Sequence, residues 1–307
     1  MVSKASRQTV FLLLLLVMFP SSVFSIVPNG QPFEFIQHLE GCHKGMTMKG
    51  VHQLKQYLEK FGYLSYNDLA THTNHDEFDG PLESAVKTYQ LNYGLNVTGC
   101  LDSQTVKEMM EPRCGVPDII DGRTRMRSGK KNNQYGPLYS FFDRKQKWPP
   151  SKTHFTYRLQ SRSNLADIKL RGVLWKAFDK WAAVTHFTFT EVEPKTRADI
   201  DIGFFRRDHG DHYSFDGPLG VLAHAFAPTD GKLHFDEDEK WSAWWNPDKT
   251  EFDLESVGLH EIGHILGLQH SAIPSAVMFS KIGAGVTRRE LQQDDILGIR
   301  SLYNITG

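Results

Sequence analysis

Apolar residues recur at helical spacing in the first half of the chain and change to strand-like alternation in the second. In "KGVHQLKQYLEKFGYL", Val51, Leu54, Leu58 and Phe61 fall three or four residues apart, and in "PLESAVKTYQLNYGL" Leu82, Ala85, Val86, Tyr89 and Tyr93 do the same. A shorter helix is predicted through "DSQTVKEMM", with Asp102 or Ser103 as its cap. Residues 42–111 therefore read as a compact three-helix module. From about Tyr139 the pattern differs. "THFTYRL" (153–159) reads as a strand, and the helix after it carries Leu170, Val173, Leu174, Ala177, Phe178 and Trp181 on one face. "FTFTEV" (187–192), "ADIDIGFF" (198–205) and "GVLAHAFA" (220–227) follow as strands. A second helix near 254–266 carries Val257, Ile262, Ile265 and Leu266, and a third lies in "RRELQQDDILGIRSLY". That order predicts an α+β or α/β layer with a mixed sheet, and no internal repeat is visible.

Two segments stand outside this pattern. In "MVSKASRQTVFLLLLLVMFPSSVFS", Lys4 and Arg7 precede the apolar run Val10–Phe19, and Val23 and Ser25 supply small residues before a cut after Ser25. The run is far short of the ~20 residues that span a bilayer, so 1–25 reads as a removable export signal and the mature protein as secreted, without a membrane span. "DGRTRMRSGKKNNQYG" (121–136) has no apolar periodicity and reads as a solvated basic linker, the kind of segment that proteases cut.

Composition adds bounds rather than identity. The chain has 307 residues, 40% hydrophobic and 23% charged with a formal net charge of −1, enough for about two domains and without the basic surplus of a nucleic-acid binder. Three cysteines in an oxidising compartment leave one unpaired. Cys42 and Cys100 are one available pair, although connectivity is not readable from sequence. Of the sequons at Asn96 and Asn304, Asn96 lies away from the chain end and is the candidate glycosylation site.

Half of the 14 histidines lie between His209 and His270, which turns attention to metals. In "HEIGHILGLQH" (260–270), His260 and His264 lie four apart on the predicted helix, so both imidazoles reach one ion. Glu261 is one step round, placed to act on a water as a base. Gly267 lets the helix stop and the backbone reverse, which brings His270 back as a third ligand. Three histidines leave one position of a tetrahedral zinc open, as a catalytic site requires.

This stretch has the form HExxHxxGxxH and resembles the metzincin zinc proteases. Met278 in "SAVMF" stands where that group has its methionine turn, and Ser271 after the third histidine resembles the matrix metalloproteinases in particular. "DHGDHYSFDGPLGVLAHAFAPTDGKLHFDEDEKW" (208–241) is similar to the segment of that family that binds a structural zinc and calcium. The resemblance implies His209, Asp211, His224 and His234 as the structural zinc ligands. It implies Asp216, Asp236 and Glu239 as carboxylates of at least one calcium site. "PRCGVPD" (112–118) resembles the family's cysteine switch, in which Cys114 fills the fourth zinc position while Arg113 and Asp118 clamp the loop.

The implied architecture resembles the plant members. A signal peptide (1–25) is followed by a propeptide (26–138), which comprises the helical module (about 42–111), the switch (112–118) and an activation linker (119–138). A catalytic domain (139–307) follows, with a mixed, mostly parallel, twisted sheet and three α-helices. The implied function is a secreted zinc endopeptidase, held latent by Cys114 and released by an activating protease. It would be a monomer that cleaves extracellular proteins or peptides in the apoplast or cell wall. Two departures bear on detail: Lys232 stands where a second calcium would want a carboxylate, and "FSKIGAGVTRRE" after Met278 lacks the family's usual proline. Two rival readings are a wall-polymer binder, since the helical module resembles peptidoglycan-binding domains, and a catalytically dead surface protein. Glu261→Ala separates both from a peptidase, because binding survives that change and proteolysis does not.

Overall fold

The computed structural model describes residues 31–66, 76–120, 122, 138–142, 145–160 and 167–306. The export signal and nearly all of the activation linker lie outside the described residues. The first of the described elements is a 3-10 helix, Glu34–Leu39, followed by three α-helices: α1 (Val51–Lys60), α2 (Gly80–Asn92) and α3 (Ser103–Met110). Asp79 caps α2 by accepting the Leu82 amide, and Asp102 caps α3 by accepting that of Thr105, so Asp102 and not Ser103 ends the preceding loop. The apolar faces read from the sequence meet: Leu54, Leu58, Phe61, Leu82, Val86, Tyr89 and Met109 form one buried core. Each aliphatic or aromatic side chain so buried contributes about 1.5–3 kcal/mol. Cys42 and Cys100 both stand as free thiols.

After α3 the chain forms β1 (Arg113–Cys114), β2 (Ser140–Phe141), β3 (His154–Leu159), α4 (Asp167–Val184), β4 (Thr188–Glu191), β5 (Ile200–Phe205), β6 (Val221–Ala225) and β7 (Lys232–Asp236). The pairs β8 (Trp241–Ser242) with β9 (Phe252–Asp253), and β10 (Leu268–Gln269) with β2, are short two-stranded ribbons flanking α5 (Leu254–Ile265); α6 (Gln293–Tyr303) ends the fold. The main sheet runs β1-β6-β7-β5-β3-β4, parallel throughout except for the antiparallel pair β6–β7. The mixed, mostly parallel sheet with α4, α5 and α6 agrees with the fold class read from sequence. None of the described helices is long and apolar enough to cross a membrane.

The helices α4 and α5 pack on the sheet through Leu174, Phe178, Trp181, Leu259 and Ile262 against Phe155, Tyr157, Ile202 and Phe235. Trp181 is fully buried and donates its indole N–H to the Leu259 carbonyl at 2.8 Å, which fixes the two helices in register. One short element was not legible as such, and the C-terminal helix, which was, starts later than its stretch of sequence does. Arg113–Cys114, read as a stiff loop, is the edge strand of the main sheet: it runs parallel to β6, with Arg113 N–H on the Gly220 carbonyl (3.0 Å) and Gly115 N–H on that of Ala223 (2.8 Å). At the other end, α6 starts only at Gln293, because Gln292 and Asp295 form a capping box that sets its first turn.

Candidate active site

Helix α5 begins at Asp253, whose carboxylate accepts the Ser256 amide, and every one of its residues is buried. A helix buried all round places His260, Glu261 and His264 in the molecular interior rather than on a wet face. Gly263 lies on this helix where an added Cβ would stand 2.3 Å from Met278 Sδ, so the glycine admits the methionine beneath the two histidines. Met278 is in turn held by Asp295, which accepts the Val277 and Met278 amides at 2.9 and 3.0 Å. The helix stops at Leu266, and Gly267 takes φ +104°, the reversal expected of it. A Cβ there would lie 2.6 Å from the Gln146 carbonyl. β10 then carries the chain back to His270.

The three imidazoles are oriented through their Nδ1 atoms. His260 Nδ1 meets the Val277 carbonyl at 2.7 Å, His264 Nδ1 that of Leu268 at 2.8 Å, and His270 Nδ1 the Asp118 carboxylate at 2.7 Å. Each Nδ1 therefore donates, and each Nε2 is left with its lone pair turned to a common point. His260 and His264 Nε2 are 3.1 Å apart, Cys114 Sγ is 3.5 Å from His264 Nε2, and the four ligand atoms all lie within 4.8 Å of one another. A tetrahedral zinc with bonds of ~2.0–2.3 Å has ligand–ligand edges of roughly 3.3–3.7 Å. His270 Nε2 is buried without a hydrogen-bond partner, a cost that a metal bond removes. The donor set fits zinc.

Glu261 is fully buried, and neither of its carboxylate oxygens has a hydrogen-bond partner in the described structure. Burial pushes its pKa up to about 8, with the neighbouring Cys114 thiol acting in the opposite direction. Burial and then Glu261 in turn raise the Cys114 pKa well above its usual value. The Val116 amide points at Cys114 Sγ from 3.3 Å, a contact that favours the thiolate.

The switch loop is held by a buried charge network. Arg113 and Asp118 are both fully buried as side chains and pair in a two-pronged contact of 3.0 and 2.9 Å. The Arg113 guanidinium also lies 3.5 Å over the Phe61 ring. Asp118 accepts the Tyr63 and Tyr93 hydroxyls at 2.8 and 3.0 Å besides His270. Burial alone would raise the Asp118 pKa, but Arg113 and then His270 outweigh it and hold the carboxyl well below the usual range. The loop clamp read from sequence is present. That Asp118 also orients the third histidine was not legible, because the contact spans 152 residues and no spacing rule encodes it.

The second histidine group is equally compact. Asp211 Oδ2 lies 2.8 Å from His209 Nε2, His224 Nε2 and His234 Nδ1, and His234 Nδ1 is 3.2 and 3.3 Å from the other two nitrogens. Three nitrogens on one carboxylate oxygen can hold a metal ion, in a closed four-ligand set with no open position. Asp211→Asn is expected to lose one metal equivalent per chain by elemental analysis. It should cost about 3 kcal/mol, some 6–12 °C in Tm for a domain of this size. Unchanged metal content would contradict this assignment.

Asp216, Asp236 and Glu239 gather beside this group, bonded to backbone amides. Asp216 accepts Val221 N–H at 2.8 Å, Asp236 accepts Gly217 N–H at 3.2 Å, and Glu239 accepts Leu219 N–H at 2.7 Å. Burial, and then repulsion from Asp238 and Asp216, push Asp236 up to about 6, while burial, and then repulsion from Asp236 and Asp216, push Glu239 up to about 8. Asn96 is exposed on the turn after α2, and Lys232 pairs with Asp230 at 2.9 Å.

Comparison with known proteins agrees with this geometry. Residues 147–304 match the family described as Matrixin, and residues 47–109 match a putative peptidoglycan binding domain. The chain is 46% identical over 278 residues to Metalloendoproteinase 5-MMP of Arabidopsis thaliana, covering 88% of this chain and 76% of that one. It is 44% identical over 269 residues to Metalloendoproteinase 1 of Glycine max, covering 86% and 85%. The Hatching enzyme of Paracentrotus lividus is 38% identical over 264 residues, 86% of this chain but 40% of its own length.

Proposed function

The chain belongs to the matrixin family of zinc metalloendopeptidases, and from that premise we propose that the structure is its latent form, with Cys114 as the inhibitory fourth ligand beside His260, His264 and His270. One observation carries the reading: the Cys114 thiol and three histidine Nε2 atoms converge on a single buried point. A zinc ion held there supplies Lewis-acid polarisation of a peptide carbonyl and makes a water acidic enough to react near neutral pH. Glu261 is placed to take the proton of that water and to hand it to the departing amine. Cys114 blocks both roles, since it occupies the position next to Glu261 that a water needs.

In this proposal the substrate lies along β6, where β1 now sits, and adds a strand to the sheet edge. The domain limits follow as read from sequence: signal 1–25, propeptide 26–138 and catalytic domain 139–307. A start at Tyr139 is supported by Asp294, whose carboxylate accepts the Leu138 and Tyr139 amides at 2.9 and 3.1 Å and would meet a new ammonium there. His209, Asp211, His224 and His234 hold a structural zinc. Asp216, Asp236 and Glu239 with nearby carbonyls hold calcium, whose charge relieves their repulsion. Secretion, glycosylation at Asn96 and action on extracellular proteins complete the proposal. Hydrolysis of a quenched peptide library by the purified chain, before and after cutting within 119–138, tests it. Activity is expected only after the cut and should vanish with a zinc chelator. A cut, zinc-replete chain that leaves the whole library intact would sink the proposal.

A further inference from the structure

Lys281 follows the methionine turn, in the segment that edges the cleft opposite β6. It is 4% exposed. Its backbone bridges Arg113 of the switch strand, with Cys114 N–H on the Ser280 carbonyl at 2.8 Å and Ile282 N–H on that of Pro112 at 3.3 Å. The residue lines a narrow cavity of about 20 Å³ together with Cys114, His260, Glu261 and Arg288. It is therefore a residue of the cleft, and yet every partner of its ammonium comes from the propeptide. Nζ donates to the Tyr89 hydroxyl at 2.6 Å and to the Glu108 carbonyl, pairs with Glu108 Oε1 at 3.1 Å, and lies 4.4 Å over the Tyr93 ring. Burial lowers its pKa to about 8, and the acidic groups that act most against this, Glu108 and Asp118, are propeptide residues as well.

Arg288 adds a second cation to the same wall. It donates Nη1 to the Lys281 carbonyl at 2.9 Å, is partly buried, and makes no ion pair among the described residues. When the propeptide leaves, the wall beside Glu261 carries two cations, and the one carboxylate that paired Lys281 has gone with it. The freed ammonium is solvated, and a peptide that binds over it and covers it again favours a carboxylate of its own there, because a charge taken out of water needs a counter-charge.

We propose that Lys281 is a specificity-determining residue of the activated enzyme, selecting peptides with a carboxylate side chain within about two residues of the scissile bond, and that Glu108 holds that carboxylate's place in the latent chain. The inference rests on the peptidase reading above and names the substrate class of the same site. The propeptide thus acts at the cleft in two ways: Cys114 takes the metal and Glu108 takes the substrate's charge. Arg288, through the Lys281 carbonyl, holds the lysine's backbone in place.

The test uses the cut, propeptide-free enzyme and peptides that differ only in bearing Glu, Gln or Lys at each position around one cleavable bond. At one position kcat/KM is expected to favour Glu over Gln by about tenfold, as for a single charge-assisted hydrogen bond. That ratio should shrink as salt is raised. Lys281→Met should bring it to near one, and Lys281→Glu should turn it toward Lys. Each ratio is taken within one enzyme, so lost expression or stability does not alter it. Equal rates for Glu and Gln at every position in the parent overturn the inference alone, as does a Glu preference that survives Lys281→Met. A parent that cleaves no peptide overturns the peptidase reading, and this inference with it.

Discussion

Glu261→Gln in the propeptide-free enzyme is expected to lower kcat by roughly 10²–10⁴-fold with zinc content unchanged. Gln keeps the shape of the side chain and cannot take a proton. The size of the effect follows from where Glu261 sits. In the latent chain it is fully buried, and among the described residues its two oxygens have no hydrogen-bond partner within range and the Cys114 thiol is the titratable group that acts on it. No described residue stands by to replace it as a base, since the three histidines present their Nδ1 atoms to acceptors and their Nε2 atoms to the metal point. The measurement is kcat on a quenched peptide beside elemental analysis of the same sample. A variant that keeps its zinc and more than a tenth of the activity assigns the proton transfer elsewhere.

Arg113→Met in the uncut chain is expected to abolish latency. The change leaves Asp118 fully buried without its two-pronged partner, and breaking a buried pair in this way costs about 3–5 kcal/mol. That corresponds to a factor of roughly 10² to several 10³ in the ratio of closed to open switch, because each 1.4 kcal/mol is tenfold. The penalty falls on the closed state alone, since Asp118 is solvated once the loop lifts. Uncut Arg113→Met should therefore hydrolyse peptide where the parent does not, and its Cys114 should react with a thiol reagent at an increased rate. A variant that folds, stays silent and keeps its thiol protected would show that the zinc–thiolate contact alone holds the loop.

The sequence made the metal chemistry legible for a physical reason. Ligands on one helix obey its period, so His260 and His264 are found by counting, and Gly267 marks the reversal that returns His270. Cys114 and the clamp of Arg113 with Asp118 lie within seven residues, and their role is legible through the resemblance of "PRCGVPD" to the cysteine switch rather than through any helical period. What was not legible depends on contacts between distant segments. The carbonyls of Val277 and Leu268 and the carboxylate of Asp118 set the three tautomers, and no local pattern reports them. Lys281 was not singled out by the sequence, and it is buried against α2 and α3 through contacts that no local pattern encodes. The two-residue strand β1 was hidden because Pro and Gly on either side argue for a loop, and tertiary pairing with β6 overrides that local preference.

That strand has a consequence for the fate of the activated molecule. With β1 in place, β6 is an interior strand and its five residues, "VLAHA", are all buried. Cutting the propeptide away turns it into a bare, uncharged edge, the kind of surface onto which stray chains stack. An activated molecule with no substrate in its cleft is thus open to self-association and to attack by its own copies. The strand that covers the zinc-site cleft is also the one that closes this edge of the sheet, so uncovering the cleft and baring the edge are a single event.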